Sequence, residues 1–152
     1  MIRLIISDCD GVLTDGKLYY GAEGEVLKVF NVKDGTAIKA LMSKGVKFGV
    51  VSGRGSAALL RRAEELGLDF CKMNISDKAE AVAALREQYG VAVHETLFVG
   101  DDTNDCVVRS ECGHLYAVND AAQALLEICD VQLKTKGGAG VFKEVLKRIH
   151  GN

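Results

Sequence analysis

The feature that most constrains this chain is a repeated alternation of short apolar runs with longer stretches of helical periodicity. The apolar runs are Leu4–Ser7, Lys47–Val51, Phe70–Lys72, Thr96–Val99, Leu115–Val118 and Val131–Leu133. Helical patterns lie between them over Thr36–Lys44, Ser56–Leu66, Lys78–Tyr89, Asn104–Glu111 and Ala121–Ile128, and Val141–His150 closes the chain. Ser76 or Asp77 is placed to cap the helix that opens near Lys78. Alternating units of this kind predict an α/β fold, a Rossmann-like parallel sheet with helices on both faces. Such sheets bind ligands at the carboxyl ends of their strands.

One segment breaks the alternation. Over residues 17–31 the pattern Leu18-Tyr19-Tyr20, Gly21-Ala22-Glu23-Gly24-Glu25, Val26-Leu27-Lys28-Val29-Phe30 reads as a β-hairpin with a glycine-bounded turn. Its apolar side chains have little core to join, which suggests a subunit interface. With 152 residues and no linker or repeat, we expect a single domain over 1–152 and no cap domain. The net charge of −2 offers no electrostatic drive toward nucleic acid or a membrane surface. No apolar run approaches the length of a membrane span. The start, Met1-Ile2-Arg3-Leu4, lacks the marks of a secretory leader. Five cysteines, an odd number without zinc spacing, read as reduced thiols in a cytoplasmic protein.

The chemistry concentrates at four strand ends. Leu4-Ile5-Ile6 runs into Ser7-Asp8-Cys9-Asp10-Gly11, so two carboxylates follow a buried strand. Carboxylates resist burial and repel each other, and a bound cation is the obvious compensation. Ser52-Gly53-Arg54-Gly55 follows Val50-Val51, Lys78 opens a helix after Asn74-Ile75-Ser76-Asp77, and Gly100-Asp101-Asp102-Thr103-Asn104-Asp105 follows Leu97-Phe98-Val99. In a parallel sheet these converge on one crevice, and each has a use in phosphoryl transfer. Asp8 and Asp101 offer carboxylate oxygens to Mg²⁺, and Asp10 offers its backbone carbonyl. Asp102 and Asp105 are placed to orient water around the ion. Ser52, with backbone N–H groups of Gly53 and its neighbours at a helix N-terminus, suits phosphate oxygens. Lys78 neutralises phosphate and Asp8 together. Asp8 then acts as nucleophile and Asp10 as general acid and base. Cys9 points away from its two neighbours on an extended backbone and reads as a packed thiol. His94, His114 and His150 show no catalytic spacing, and Asp15 and Asp34 read as turn and cap residues.

This ordered set of four motifs resembles the haloacid dehalogenase superfamily across most of the chain. Asp10-Gly11-Val12-Leu13-Thr14-Asp15-Gly16, the hairpin, Phe30-Asn31-Val32-Lys33-Asp34-Gly35 and Gly137-Gly138-Ala139-Gly140-Val141 are similar to its capless subgroup. That subgroup includes phosphatases acting on 3-deoxy-D-manno-octulosonate 8-phosphate and on nonulosonate (sialic-acid-type) 9-phosphates. The resemblance implies a Mg²⁺-dependent phosphomonoesterase acting on a small phosphorylated sugar acid. It also implies a homotetramer in which one subunit helps cover a neighbour's site. Arg54 matches the basic residue of the octulosonate enzymes, where a guanidinium suits a sugar carboxylate. Ala139 departs from their Gly-Gly-Arg-Gly tail, which leaves the nonulosonate reading open. Two other classes use the same residues: a phosphosugar-binding regulatory protein, and a phosphotransferase that delivers phosphate to a sugar hydroxyl.

Overall fold

A computed structural model describes residues 1–151. Eight strands form in chain order: β1 (Leu4–Ser7), β2 (Tyr19–Gly21), β3 (Gly24–Leu27), β4 (Lys47–Val51), β5 (Phe70–Lys72), β6 (Thr96–Gly100), β7 (His114–Ala117) and β8 (Val131–Gln132). Five α-helices accompany them: α1 (Val32–Ser43), α2 (Ala57–Leu66), α3 (Lys78–Tyr89), α4 (Gln123–Ile128) and α5 (Val141–His150). Six strands make one all-parallel sheet in the order β5-β4-β1-β6-β7-β8, while β2 and β3 pair antiparallel in a separate ribbon.

Side chains alternate across the sheet with the two-residue period of a strand, so both faces are apolar. Ile5, Phe48, Val50, Leu97 and Val99 face α1, α2 and α5, where Phe48 meets Phe142 edge-on at 5.0 Å between ring centroids. Leu4, Ile6, Val51, Phe98 and Leu115 face the opposite layer, with Val82 and Leu85 of α3 and Leu125 of α4. Gly49 lets β5 come close, since a Cβ there would stand 2.3 Å from the Phe70 ring.

Several boundaries differ from the sequence reading. Helix α1 begins at Val32, four residues before the expected Thr36, because the Asn31 side chain accepts from Lys33 N and caps it. Thr103–Glu111 is a 3₁₀ segment instead of the α-helix expected from Asn104. Asp77, of the two candidates, caps α3 by accepting from Glu80 N at 3.0 Å. The hairpin occupies the expected segment and leaves Leu18, Tyr20, Val26, Leu27 and Val29 exposed. Cys9 is fully buried, and burial pushes its thiol far above the ordinary range, as expected of a packed thiol. His114 donates from Nε2 to His94 O at 3.1 Å, at the amino end of the sheet, away from the strand ends that carry the acidic residues.

Candidate active site

Strand β1 lies between β4 and β6, so the loops leaving the carboxyl ends of these three strands are neighbours. The ladder continues one residue past β1: Asp8 N donates to Val99 O at 3.0 Å. The chain then turns sharply, with the N–H groups of Val12, Leu13 and Thr14 all directed at Cys9 O. Gly11 takes φ +86°, and a Cβ there would stand 1.8 Å from Asp101 Oδ2. Only glycine allows the carboxylate loops after β1 and β6 to approach this closely.

Asp8 is buried, and its Oδ1 accepts from Cys9 N at 2.7 Å. Lys78, the first residue of α3, reaches across with its side chain 5% exposed: Nζ stands 2.7 Å from Asp105 Oδ1 and 3.4 Å from Asp8 Oδ1. Asp105 is fully buried, and its second oxygen accepts from the N–H groups of Asp101 and Asp102 at 3.0 and 3.2 Å. Its two oxygens are thus engaged by protein donors, which makes Asp105 a brace between Lys78 and the loop after β6. Asp102 sits at the surface and caps the 3₁₀ segment, accepting from Thr103 N at 2.7 Å.

One oxygen each from Asp8, Asp101 and Asp105 lie within 4.8 Å of one another. Burial raises the pKa of the Asp8 carboxyl and the Asp105 charge adds to it, while Lys78 works the other way. Asp101 is raised for similar reasons, burial first and then the charge of Asp8. Burial opposes the charge on Lys78, but Asp8 and Asp105 more than offset it and its pKa lies above the usual lysine value. Three crowded carboxylates against one ammonium leave a local excess of negative charge. A hard divalent cation would relieve it, and the all-oxygen donor set suits such an ion. Asp8 and Asp101 are the carboxylates free to hold it.

Ser52 is buried at the end of β4, its Oγ accepting from Arg54 N at 3.2 Å. The sequence reading put Ser52 and Gly53 at a helix N-terminus. Instead α2 starts at Ala57 with Ser56 as its cap, so both lie on the loop that precedes the helix. Arg54 leans over the site: its guanidinium is 4.0 Å from Asp10 Oδ2, 3.8 Å from Glu25 Oε2 and 3.4 Å from the Tyr20 hydroxyl. A groove of about 340 Å³ opens there, lined by Tyr20, Glu25, Leu27, Arg54 and Ser56. The hairpin therefore overhangs the strand ends, as expected.

Lys28 was not anticipated. Its Nζ lies 2.7 Å from Asp10 Oδ1 and 3.1 Å from Glu25 Oε2. Burial lowers its pKa, but hydrogen bonds to Asp10 and Glu25 outweigh this and the net shift is upward. Period-two patterning in the hairpin could assign Lys28 to a face, but nothing local indicated its partner. The glycines near the C-terminus also acquire a reason. A Cβ at Gly137 would stand 1.9 Å from Gly11 O, and Gly138 N donates to Val12 O at 3.0 Å. This glycine loop is packed directly against the Asp8–Asp10 turn.

Comparison with known proteins agrees with this geometry. Models of haloacid dehalogenase-like hydrolases match residues 24–108 and 73–145. The chain is 41% identical over 148 residues to 3-deoxy-D-manno-octulosonate 8-phosphate phosphatase KdsC of Haemophilus influenzae, covering 97% of this chain and 82% of that protein. A cobalt-bound structure of the Haemophilus influenzae phosphatase superimposes with a TM-score of 0.94 at 40% identity, over 97% of this chain and 86% of that one. The Moraxella catarrhalis phosphatase, solved with magnesium ion, phosphate ion and KDO, superimposes with a TM-score of 0.93 at 32% identity, over 97% and 85% of the two chains. With four strand-end motifs gathered on one crevice, this chain belongs to the haloacid dehalogenase-like hydrolases.

Proposed function

We propose that this chain is a Mg²⁺-dependent phosphomonoesterase that releases phosphate from a phosphorylated sugar acid of the 3-deoxy-D-manno-octulosonate 8-phosphate type. The observation that carries this reading is the convergence of Asp8, Asp101, Lys78 and Asp105 at the carboxyl ends of β1 and β6 and the start of α3. The magnesium, phosphate and KDO held by the similar Moraxella catarrhalis protein support the ion and the substrate class.

Asp8 and Asp101 hold the ion, together with the backbone carbonyl of Asp10. When bound, Mg²⁺ screens the repulsion between an anionic ester and the attacking carboxylate and helps hold the ester in line. Asp8 attacks phosphorus through a carboxylate oxygen, forming an aspartyl-phosphate as the bond to the sugar oxygen breaks. Asp10 passes a proton to that leaving oxygen. It then takes a proton from the water that attacks the aspartyl-phosphate, which frees phosphate and restores Asp8. Lys78 compensates charge on Asp8 and on the phosphoryl group, and Asp105 holds its ammonium in place. Ser52 Oγ and the loop N–H groups of Gly53 and Arg54 bind phosphate oxygens. Arg54 faces the groove and receives the sugar carboxylate.

A second reading, a nonulosonate 9-phosphate phosphatase, is favoured by Ala139, which offers no guanidinium at the tail. The exposed apolar residues of the hairpin support a homotetramer, and the five free cysteines support a cytoplasmic setting. No helix among the described residues is long and apolar enough to cross a membrane.

The test is phosphate release from a panel of sugar-acid phosphates, with Mg²⁺ and with chelator. We expect turnover that needs the metal and prefers one carboxylated sugar phosphate. Metal-independent turnover, or none across the panel, would sink the reading. Transfer of the phosphoryl group to an added sugar in preference to water would indicate a phosphotransferase. Mg²⁺-dependent ligand binding without turnover would indicate a regulatory protein.

A further inference from the structure

We propose that Lys28 is a positioning residue for Asp10: its buried ammonium, clamped between Asp10 and Glu25, fixes which carboxylate oxygen faces the leaving group. The proposal rests on the reading of Asp10 as proton donor.

Asp10 stands on the tight turn after β1, beyond the reach of the sheet ladder. Among the described residues, the one side-chain hydrogen bond to its carboxylate comes from Lys28, whose Nζ is 2.7 Å from Oδ1. Arg54 stands off Oδ2 at 4.0 Å, too far to orient it. The Asp10 rotamer is therefore set by a residue eighteen positions away on the hairpin strap. Lys28 is itself held: Glu25 Oε2 accepts a second hydrogen bond from the ammonium at 3.1 Å, and the lysine side chain is only 4% exposed.

Burying a lysine costs desolvation and side-chain entropy, and an apolar residue would serve packing better. A clamp on a reacting carboxyl gives the burial a use. A general acid must keep one oxygen free and aimed at the leaving atom, and small misplacements are costly. With Oδ1 taken by Lys28, Oδ2 is left to carry the proton. The hairpin thereby does more than roof the crevice, because it orients a group on the catalytic turn.

The experiment compares a sugar-acid phosphate, whose alkoxide must be protonated to leave, with p-nitrophenyl phosphate, whose phenolate departs without a proton. The rates compared are single-turnover rates of leaving-group release, because the later attack of water uses Asp10 with either ester. We expect Lys28→Met to lower this rate on the sugar ester about 10- to 100-fold while leaving KM and the aryl-ester rate within about 3-fold. Lys28→Arg, which keeps the cation, recovers most of the loss. Equal losses of the two single-turnover rates would mean a merely structural role and overturn the proposal, as would an unaffected sugar-ester rate. Should Lys28→Met not fold, Glu25→Gln decides: it loosens the clamp from the far side and is expected to lower only the sugar-ester rate. An unchanged ratio of the two rates in that variant counts against the proposal. Asp10→Asn separates the two levels of the argument. Selective loss on the sugar ester upholds Asp10 as proton donor, so that the Lys28 result stands or falls alone; a non-selective loss removes the donor reading and the proposal with it.

Discussion

At the scale of single residues, Asp8 and Lys78 show how one site meets opposite demands. A carboxylate that attacks phosphorus must be ionised, yet burial and the Asp105 charge push it toward protonation. Lys78 at 3.4 Å and the Cys9 N–H at 2.7 Å counter this. Asp8→Asn keeps the shape and the Cys9 contact but removes the carboxylate proposed as nucleophile. It should abolish turnover with an unchanged circular dichroism spectrum; near-wild-type phosphate release would disprove the mechanism. Arg54 makes a different kind of contribution. Its guanidinium is exposed at the groove and braces nothing that the core requires. Arg54→Ala should raise KM for carboxylated sugar phosphates about tenfold, the scale of one charge-assisted hydrogen bond, with a smaller effect on an aryl phosphate. Steady-state kinetics on both substrates checks this, and equal changes would argue against a carboxylate contact.

At the scale of elements, α1 ties the hairpin strap to α5 through two side chains at its start. Asn31 caps the helix and donates to Gly138 O at 3.2 Å, which links α1 to the glycine loop under the Asp8–Asp10 turn. Asp34 was expected to be a turn or cap residue, and it is a cap, but of a helix over a hundred residues away. Its Oδ1 accepts from Phe142 N at 2.8 Å, and its buried Oδ2 has no partner. Burial raises the Asp34 pKa to about 6, with the Phe142 N–H and Arg62 opposing. A folded-state value above the unfolded one means that the native state binds the extra proton between about pH 4 and 6, and Asp34 weakens the fold as pH rises through that window. Asp34→Asn removes this dependence. The unfolding free energy of the variant relative to wild type should climb by about 2 kcal/mol between pH 4 and pH 7, measured by urea denaturation. A difference that stays constant with pH would show that Asp34 does not titrate there.

At the scale of the whole molecule, the hairpin projects Tyr20, Val26 and Val29 into solvent at 63%, 65% and 53% exposure, three large apolar side chains on one short segment. Val26→Asp should shift the protein toward smaller species in sedimentation velocity while the monomer keeps its fold; a wild-type chain that already sediments as a monomer would rule out the assembly. The sheet was legible in the sequence because continuous apolar runs between helical periods have few other ways to be covered. The acidic strand ends were legible for the same reason: once the strands are parallel, Asp8, Ser52, Lys78 and Asp101 must share an end of the sheet. What the sequence left open was every relation that depends on how separated segments meet. The early start of α1 followed from a capping side chain, which local periodicity does not register. The 3₁₀ course of Thr103–Glu111 emerged only in the folded chain. Asp105 bracing Lys78, Lys28 clamping Asp10, Asp34 capping α5 and the glycine loop wedged under Gly11 each join residues that are remote in the chain or set by a single turn. The sequence by itself determined the layer order and the chemical type of the site, since those rest on patterns repeated along the chain. Only the tertiary structure decided which charge answers which, because a hydrogen-bond partner is selected by distances of a few ångströms that no spacing in the chain encodes.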